Sequence, residues 1–231
     1  MDVRTATRQL LIRAGARLSP ELLHDVSCFH AALALGRFVA AETEGKKPTL
    51  RANKLDVFRD AIALLGAAEK PLYLEFGVWE GWSLRWWLEH LRNPHARFVG
   101  FDSFDGLPEA WRPDYPARTF DRSGAPPLVD DPRLSFEVGL FAETLRTFVT
   151  PRHDRLVVNV DCTLYSSTCT VLQWLESLGQ PGDLVYFDEL PEYDHELRAL
   201  FEHAQRIDLR LRPISQARGY YWLFQYVARG A

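Results

Sequence analysis

Three carboxylates stand at the ends of two apolar runs. Asp161 follows Leu156-Val-Val-Asn-Val160, and Asp188 with Glu189 follows Leu184-Val-Tyr-Phe187. If both runs are neighbouring parallel strands, the three acids share one sheet edge a few ångströms apart. Carboxylates that close repel one another unless a proton or a cation intervenes. Oxygen-only ligands of this kind suit Mg²⁺, which favours six-fold coordination and retains several waters. A metal held by Asp161, Asp188 and Glu189 could bind adjacent hydroxyls of an acceptor and acidify one of them. Without a metal, Asp188 is the candidate proton acceptor. The alternative is structural: Asp188 and Glu189 cap the next helix while Asp161 faces a ligand.

A second constellation lies upstream. Leu72-Tyr-Leu-Glu-Phe-Gly-Val-Trp-Glu-Gly-Trp-Ser83 reads as a strand, a glycine turn and the start of a helix. Phe98-Val-Gly-Phe-Asp102 reads as the next strand, ending on an acid. In an open parallel sheet this order builds a nucleotide pocket at the carboxyl ends of the strands. Gly77 and Gly81 let the backbone turn tightly beside a ligand. Glu75 and Ser83 flank the turn, Trp79 lies inside it, and the carboxylate of Asp102 is suited to the two hydroxyl donors of a ribose. The glycines form E-x-G-x-x-x-G-x-S rather than the G-x-G-x-x-G of dinucleotide enzymes, so the expected ligand is S-adenosylmethionine. Trp82 and Trp86, at helical spacing, are expected in the core.

These residues need a scaffold of alternating strands and helices, the pattern of a parallel sheet. Strands are predicted near 72–76, 97–101, 134–138, 156–160 and 183–187, with helices at about 81–92, 141–149, 167–178 and 193–205. The runs 209–214 and 220–227 are joined so closely that they must pair antiparallel. Five parallel strands closed by an antiparallel hairpin is the order of a class I methyltransferase, a Rossmann-like α/β fold. Before it, Ser19-Pro20-Glu21 starts a helix that runs to Gly45, where Lys46-Lys47-Pro48 breaks the chain. A second helix is expected from about Thr49 to Gly66. Residues 1–68 are thus expected as a helical cap and 69–231 as the ligand-binding domain. The connection 103–131, with Pro108, Pro113, Pro116, Pro126, Pro127, Trp111, Tyr115 and Phe120, is long enough to be a lid.

The 231 residues are 47% hydrophobic and 25% charged with a net charge of −4, so bulk electrostatics offer nothing to nucleic acid or an anionic membrane. No apolar run approaches the ~20 residues of a membrane span. Arg4, Arg8, Arg13 and Arg17 surround only Leu10-Leu-Ile12, which reads as a basic helix face rather than a secretory signal. Cys28, Cys162 and Cys169 lack metal spacing and fit reduced thiols in the cytoplasm. A homo-oligomer stays open.

Taken together, E-F-G-V-W-x-G, F-D-S-F-D-G-L-P, G-L-F-x-x-T-L at 139–145, D-C-x-L-Y-x-S-T and F-D-E resemble the macrocin O-methyltransferase family over residues 70–190. The resemblance implies an S-adenosylmethionine-dependent enzyme that methylates sugar hydroxyls of natural products, typically with Mg²⁺. It places the cofactor on Glu75, Gly77, Ser83, Asp102, Ser103 and Phe104, beside which Val78 and Gly139 are also expected, and the metal on Asp161, Asp188 and Glu189. One position departs. Where the family reads D-x-D-L-Y, whose second acid is a candidate general base, this chain has Thr163, whose hydroxyl takes no proton near neutral pH. Asp194 and His195 lie nearby and read as helix-surface residues. Competing readings are a nicotinamide oxidoreductase, disfavoured by the glycine pattern and the hairpin, and a cofactor-binding protein that has lost catalysis.

Overall fold

Short runs rich in Val, Leu and Phe, punctuated by Gly and Pro, build the sheet of this protein. The computed structural model describes residues 2–42, 47–66, 68–112, 114–191 and 195–229. Its strands are β1 (Thr49–Arg51), β2 (Pro71–Phe76), β3 (Arg97–Asp102), β4 (Leu134–Val138), β5 (Arg155–Val160), β6 (Leu184–Phe187), β7 (Leu209–Ala217) and β8 (Tyr221–Arg229). They lie in the order β1-β7-β8-β6-β5-β2-β3-β4. All neighbours pair parallel except β8, which runs antiparallel between β6 and β7. The parallel sheet and the closing antiparallel hairpin are as expected from the sequence.

Every residue of β2 is buried, the signature of a strand covered on both faces. Its side chains alternate between two cores. Leu72, Leu74 and Phe76 join Val99, Phe101, Val158 and Phe187 on one face. Tyr73 joins Phe98, Val157 and Tyr186 on the other. Each such fully buried side chain contributes about 1.5–3 kcal/mol relative to exposure.

Helices α5 (Phe141–Thr147), α6 (Tyr165–Leu175) and α7 (Glu196–Ile207) cover the first face, while α3 (Lys54–Leu65) and α4 (Trp82–His90) cover the second. At the N-terminus, α1 (Val3–Gly15) buries no residue, and α2 (Pro20–Glu42) buries only Ala31 and Leu35. Ser19 caps α2 by accepting the Leu22 amide at 3.3 Å. The ion pair of Glu42 with Arg210 at 2.8 Å ties its far end to β7. The expected stop at Gly45 and Lys46 lies outside the described residues, as do Pro113 and Asp194. No described helix is long and apolar enough to cross a membrane. Cys162 is buried, Cys28 and Cys169 are half-buried, and none carries a disulfide.

One expectation fails at the start of the second helix. Thr49–Arg51 is a strand on the edge of the sheet, parallel to β7, and the helix begins only at Lys54. Asn53 makes that start. Its side-chain oxygen accepts the Asp56 amide at 3.2 Å, and its amide group donates to the Asp56 carboxylate at 3.0 Å, a reciprocal cap. From Thr49 onward the segment expected as a cap is therefore built into the sheet and its core.

Candidate active site

The carboxyl ends of β2, β3, β5 and β6 open into one cavity of about 510 Å³. Just past the end of β2 lies Gly77, whose φ is +93°. A Cβ there would collide with the Asp161 carbonyl, so only glycine lets the two strand ends approach this closely. The turn then passes Gly81, the N-cap of α4.

Asp102 organises the turn from the end of β3. One carboxylate oxygen accepts the Val78 and Trp79 amides, both at 2.8 Å, and the other accepts the Phe104 amide at 2.8 Å. Each oxygen has two lone-pair directions, so the carboxylate can still accept from a ligand in the cavity it lines.

Of the predicted ligand contacts, Gly77, Val78, Trp79, Ser83, Asp102, Ser103, Gly139 and Asp161 line the cavity. Glu75, Gly81 and Phe104 do not. Glu75 is 0% exposed beneath the turn. It accepts Ser83 Oγ at 2.6 Å and Tyr73 OH at 2.5 Å, and Tyr73 in turn accepts from Asn159 at 3.1 Å. Burial raises its pKa, against the hydrogen bonds of Ser83 and Tyr73, to about 7. Glu75 thus braces the turn from behind. Phe104 is likewise buried, offering its amide to Asp102 rather than its ring to the cavity.

Asp161, Asp188 and Glu189 all line the cavity, but the cation beside Asp188 comes from the protein. Lys54, the first residue of α3, donates from Nζ to Asp188 Oδ1 at 3.3 Å. Tyr186 OH donates to the same oxygen at 2.8 Å. Burial opposes the Lys54 charge, yet Asp188 and Asp161 outweigh it and raise its pKa. Burial, and then the charge of Asp188, push Asp161 well above the usual carboxylate range against the pull of Lys54. Among the described residues no three Asp, Glu, His or Cys side chains are grouped to hold a metal ion. The donor set therefore does not fit the three-carboxylate magnesium site expected from the sequence.

Thr163 lines the same wall with a φ of +65° and gives its amide to Glu196 Oε1 at 3.0 Å. His195, the N-cap of α7, lies against Trp111 with ring centroids 6.4 Å apart and does not line the cavity.

The segment after β3 folds over the mouth as an ordered excursion. Leu107 donates its amide to the Thr119 carbonyl at 2.9 Å and accepts the Arg118 amide at 2.8 Å, which joins the two limbs of the loop. Ser166 on α6 donates to Glu109 at 2.6 Å, which anchors the tip. Leu107, Pro108, Trp111 and Phe120 line the cavity from above, and Phe120 meets Trp79 edge-on at 5.2 Å.

Sequence reasoning missed several lining residues, among them Lys54, Trp82, Leu140, Phe141 and Ser167. Trp86 is in the core as expected, but Trp82 is 53% exposed and belongs to the cavity. A signal for Lys54 existed. Asn53-x-x-Asp56 marks a helix start, and a lysine just inside it opposes the helix dipole.

The model of a family described as methyltransferase domain matches residues 74–209. The chain belongs to the methyltransferase-domain family. Among solved structures, this methyltransferase is similar to the O-methyltransferase NovP, with a TM-score of 0.61 and 20% identity over 91% of this chain and 100% of that one. It is also similar to CalS11, a calicheamicin methyltransferase, with a TM-score of 0.54 and 21% identity over 90% and 94% of the two chains. A structure titled cmcI-D160 Mg-SAM matches with a TM-score of 0.51 and 18% identity over 75% and 72%. These likenesses show the class I methyltransferase fold. Comparison with curated proteins gives no match.

Proposed function

We propose that this methyltransferase moves the methyl group of S-adenosylmethionine to a hydroxyl of a small molecule, a sugar or another natural product, as the macrocin-type motifs imply. The observation that carries the reading is the Asp102 carboxylate, fixed by three amides of the glycine turn and facing the same cavity as the acids of β5 and β6. NovP and CalS11, named as an O-methyltransferase and a calicheamicin methyltransferase, support it.

When bound, the cofactor would supply an activated methyl on a sulfonium. The protein supplies position and a proton acceptor. Asp102 would hold the ribose hydroxyls, with Gly77, Val78, Trp79, Ser83, Ser103 and Gly139 around the rest and Asp161 towards the methionine end. The acceptor hydroxyl would lie between the lid aromatics and Asp188. Asp188 would take the proton of that hydroxyl and leave its oxygen facing the methyl that the cofactor would present. Holding both reactants in this geometry is the main source of rate in such a transfer. Trp111 and Phe120 exclude water from it.

In this reading residues 1–68 are a helical cap, with β1 and α3 built into the shared core, and 69–231 bind the cofactor. Cys28, Cys162 and Cys169 form no disulfide, which supports a cytoplasmic protein. Calorimetry with S-adenosylhomocysteine tests the assignment. Removal of a charged acceptor costs about 1.5–3 kcal/mol, so Asp102→Ala should weaken binding at least tenfold. Unchanged affinity overturns the site.

A second reading, a cofactor-binding protein without turnover, is favoured by Thr163 alone. It predicts S-adenosylhomocysteine binding by the wild type with no methyl transfer to any member of a diol-bearing acceptor panel.

A further inference from the structure

The acids of β5 and β6 meet a cation that the fold itself delivers. Lys54 reaches them from α3, 134 residues away from Asp188 in sequence. Its position is locally unfavourable. A positive charge on the first residue of a helix opposes the macrodipole, and a site that breaks a local rule generally serves something else. The ammonium is also held from the sides, 4.9 Å from the centroid of the Trp82 ring and 5.6 Å from that of Tyr221. Aromatic faces attract cations and add to the hold of the carboxylates.

Asp188 Oδ1 already accepts both Lys54 Nζ and Tyr186 OH. Magnesium demands near-octahedral oxygen ligands at about 2.0–2.1 Å. An ion bound to Asp161 and Asp188 would sit against the ammonium, and like charges at such range exclude each other. One of the two must leave.

We infer that the Lys54 ammonium takes the place of a divalent cation between Asp188 and Asp161, so that the acid cluster of this methyltransferase works without a metal. The inference rests on the methyl-transfer reading above. An ammonium carries three N–H donors, and Asp188 accepts one of them. Lys54 lines the cavity, so the others are placed to hold the oxygen of an acceptor beside the Asp188 carboxylate. The role assigned to it is electrostatic and positional, and it stays protonated throughout.

Mn²⁺, which is paramagnetic and takes the same oxygen ligands as Mg²⁺, is the probe. Wild type, Asp188→Asn, Lys54→Met and the double variant Lys54→Met/Asp188→Asn are titrated by electron paramagnetic resonance and calorimetry. Wild type should show no stoichiometric site tighter than about 1 mM, the weak end of carboxylate cation sites. Lys54→Met leaves the carboxylates without their cation, so it should gain a site at least about tenfold tighter, which the double variant loses.

Stoichiometric Mn²⁺ binding by wild type that Asp188→Asn abolishes overturns the inference. So does a Lys54→Met protein that gains no site while binding S-adenosylhomocysteine as wild type does. The same calorimetry separates the two claims. Wild type that fails to bind S-adenosylhomocysteine refutes the methyl-transfer reading, whereas the Mn²⁺ titrations judge Lys54 alone.

Discussion

Sealed under the glycine turn, Glu75 couples the stability of the fold to pH. Its pKa is raised from an ordinary 4.5 to about 7 in the folded chain, chiefly by burial. Between those values the folded state holds a proton that the unfolded state has released. Stability from this group is therefore fully present below pH 4.5 and is lost as pH rises through about 7. The difference across that window is on the order of 3 kcal/mol. Glu75→Gln, which keeps a neutral hydrogen-bonding side chain, should flatten this part of the stability profile in urea titrations at pH 5 and pH 8. A variant whose profile keeps the wild-type slope would show that another group is responsible. Thr163 stores a different kind of cost. A β-branched residue at a φ of +65° is strained, by about 1–3 kcal/mol. Asn tolerates that region, so Thr163→Asn should raise Tm by about 2–4 °C for each kcal/mol released in a chain of this size. A calorimetric scan in which Tm falls would mean that the Thr163 methyl packing outweighs the strain.

Among the elements, the lid depends most on one residue. Gly106 has a φ of +78°, and a Cβ there would lie 2.5 Å from the Arg118 carbonyl. Gly106→Ala should therefore spread the two limbs and speed hydrogen exchange at the Leu107 and Arg118 amides. Exchange in β2 and β3 should stay as in wild type. Equal exchange at Leu107 in both proteins would show that the limbs are held by other contacts. The elements themselves were readable from the sequence where their pattern was local. The five parallel strands and the hairpin follow from apolar runs bounded by Gly and Pro, and β4 spans the predicted 134–138. β1 escaped because three exposed residues carry no periodicity. Trp82 was misplaced because helical spacing gives a shared face without saying whether that face meets core or cavity. The pairing of Lys54 with Asp188 is set only when α3 docks on the sheet, and no sequence window contains both residues. Acids at strand ends were legible, but the identity of their counter-ion was a matter of tertiary structure.

At the scale of the whole molecule, stability is concentrated in the sheet and its two flanking cores. α1 contributes no buried side chain. Deleting residues 2–18 should thus change Tm by less than about 2 °C, since surface changes stay within about 0.5 kcal/mol, and leave S-adenosylhomocysteine affinity unaltered. A larger drop in a thermal scan would show that α1 has a stabilising contact of its own. The placement of β8 has a further consequence for the order in which the protein is made. β8 is the last strand in the chain, yet it separates β7 from β6. While the ribosome is still at work, β2 to β6 emerge with all the parallel partners they have among themselves. β7 joins that half-sheet through β8, and β1, which among the described residues pairs with β7 alone, joins through β7. The cofactor pocket can therefore assemble on the nascent chain, with Phe58 of α3 against Tyr186 and Trp87, whereas the contacts of α3 to β1, β7 and β8 form only afterwards. α3 is thus fully seated, and Lys54 fixed beside the acid of β6, only once β7 and β8 have closed the sheet.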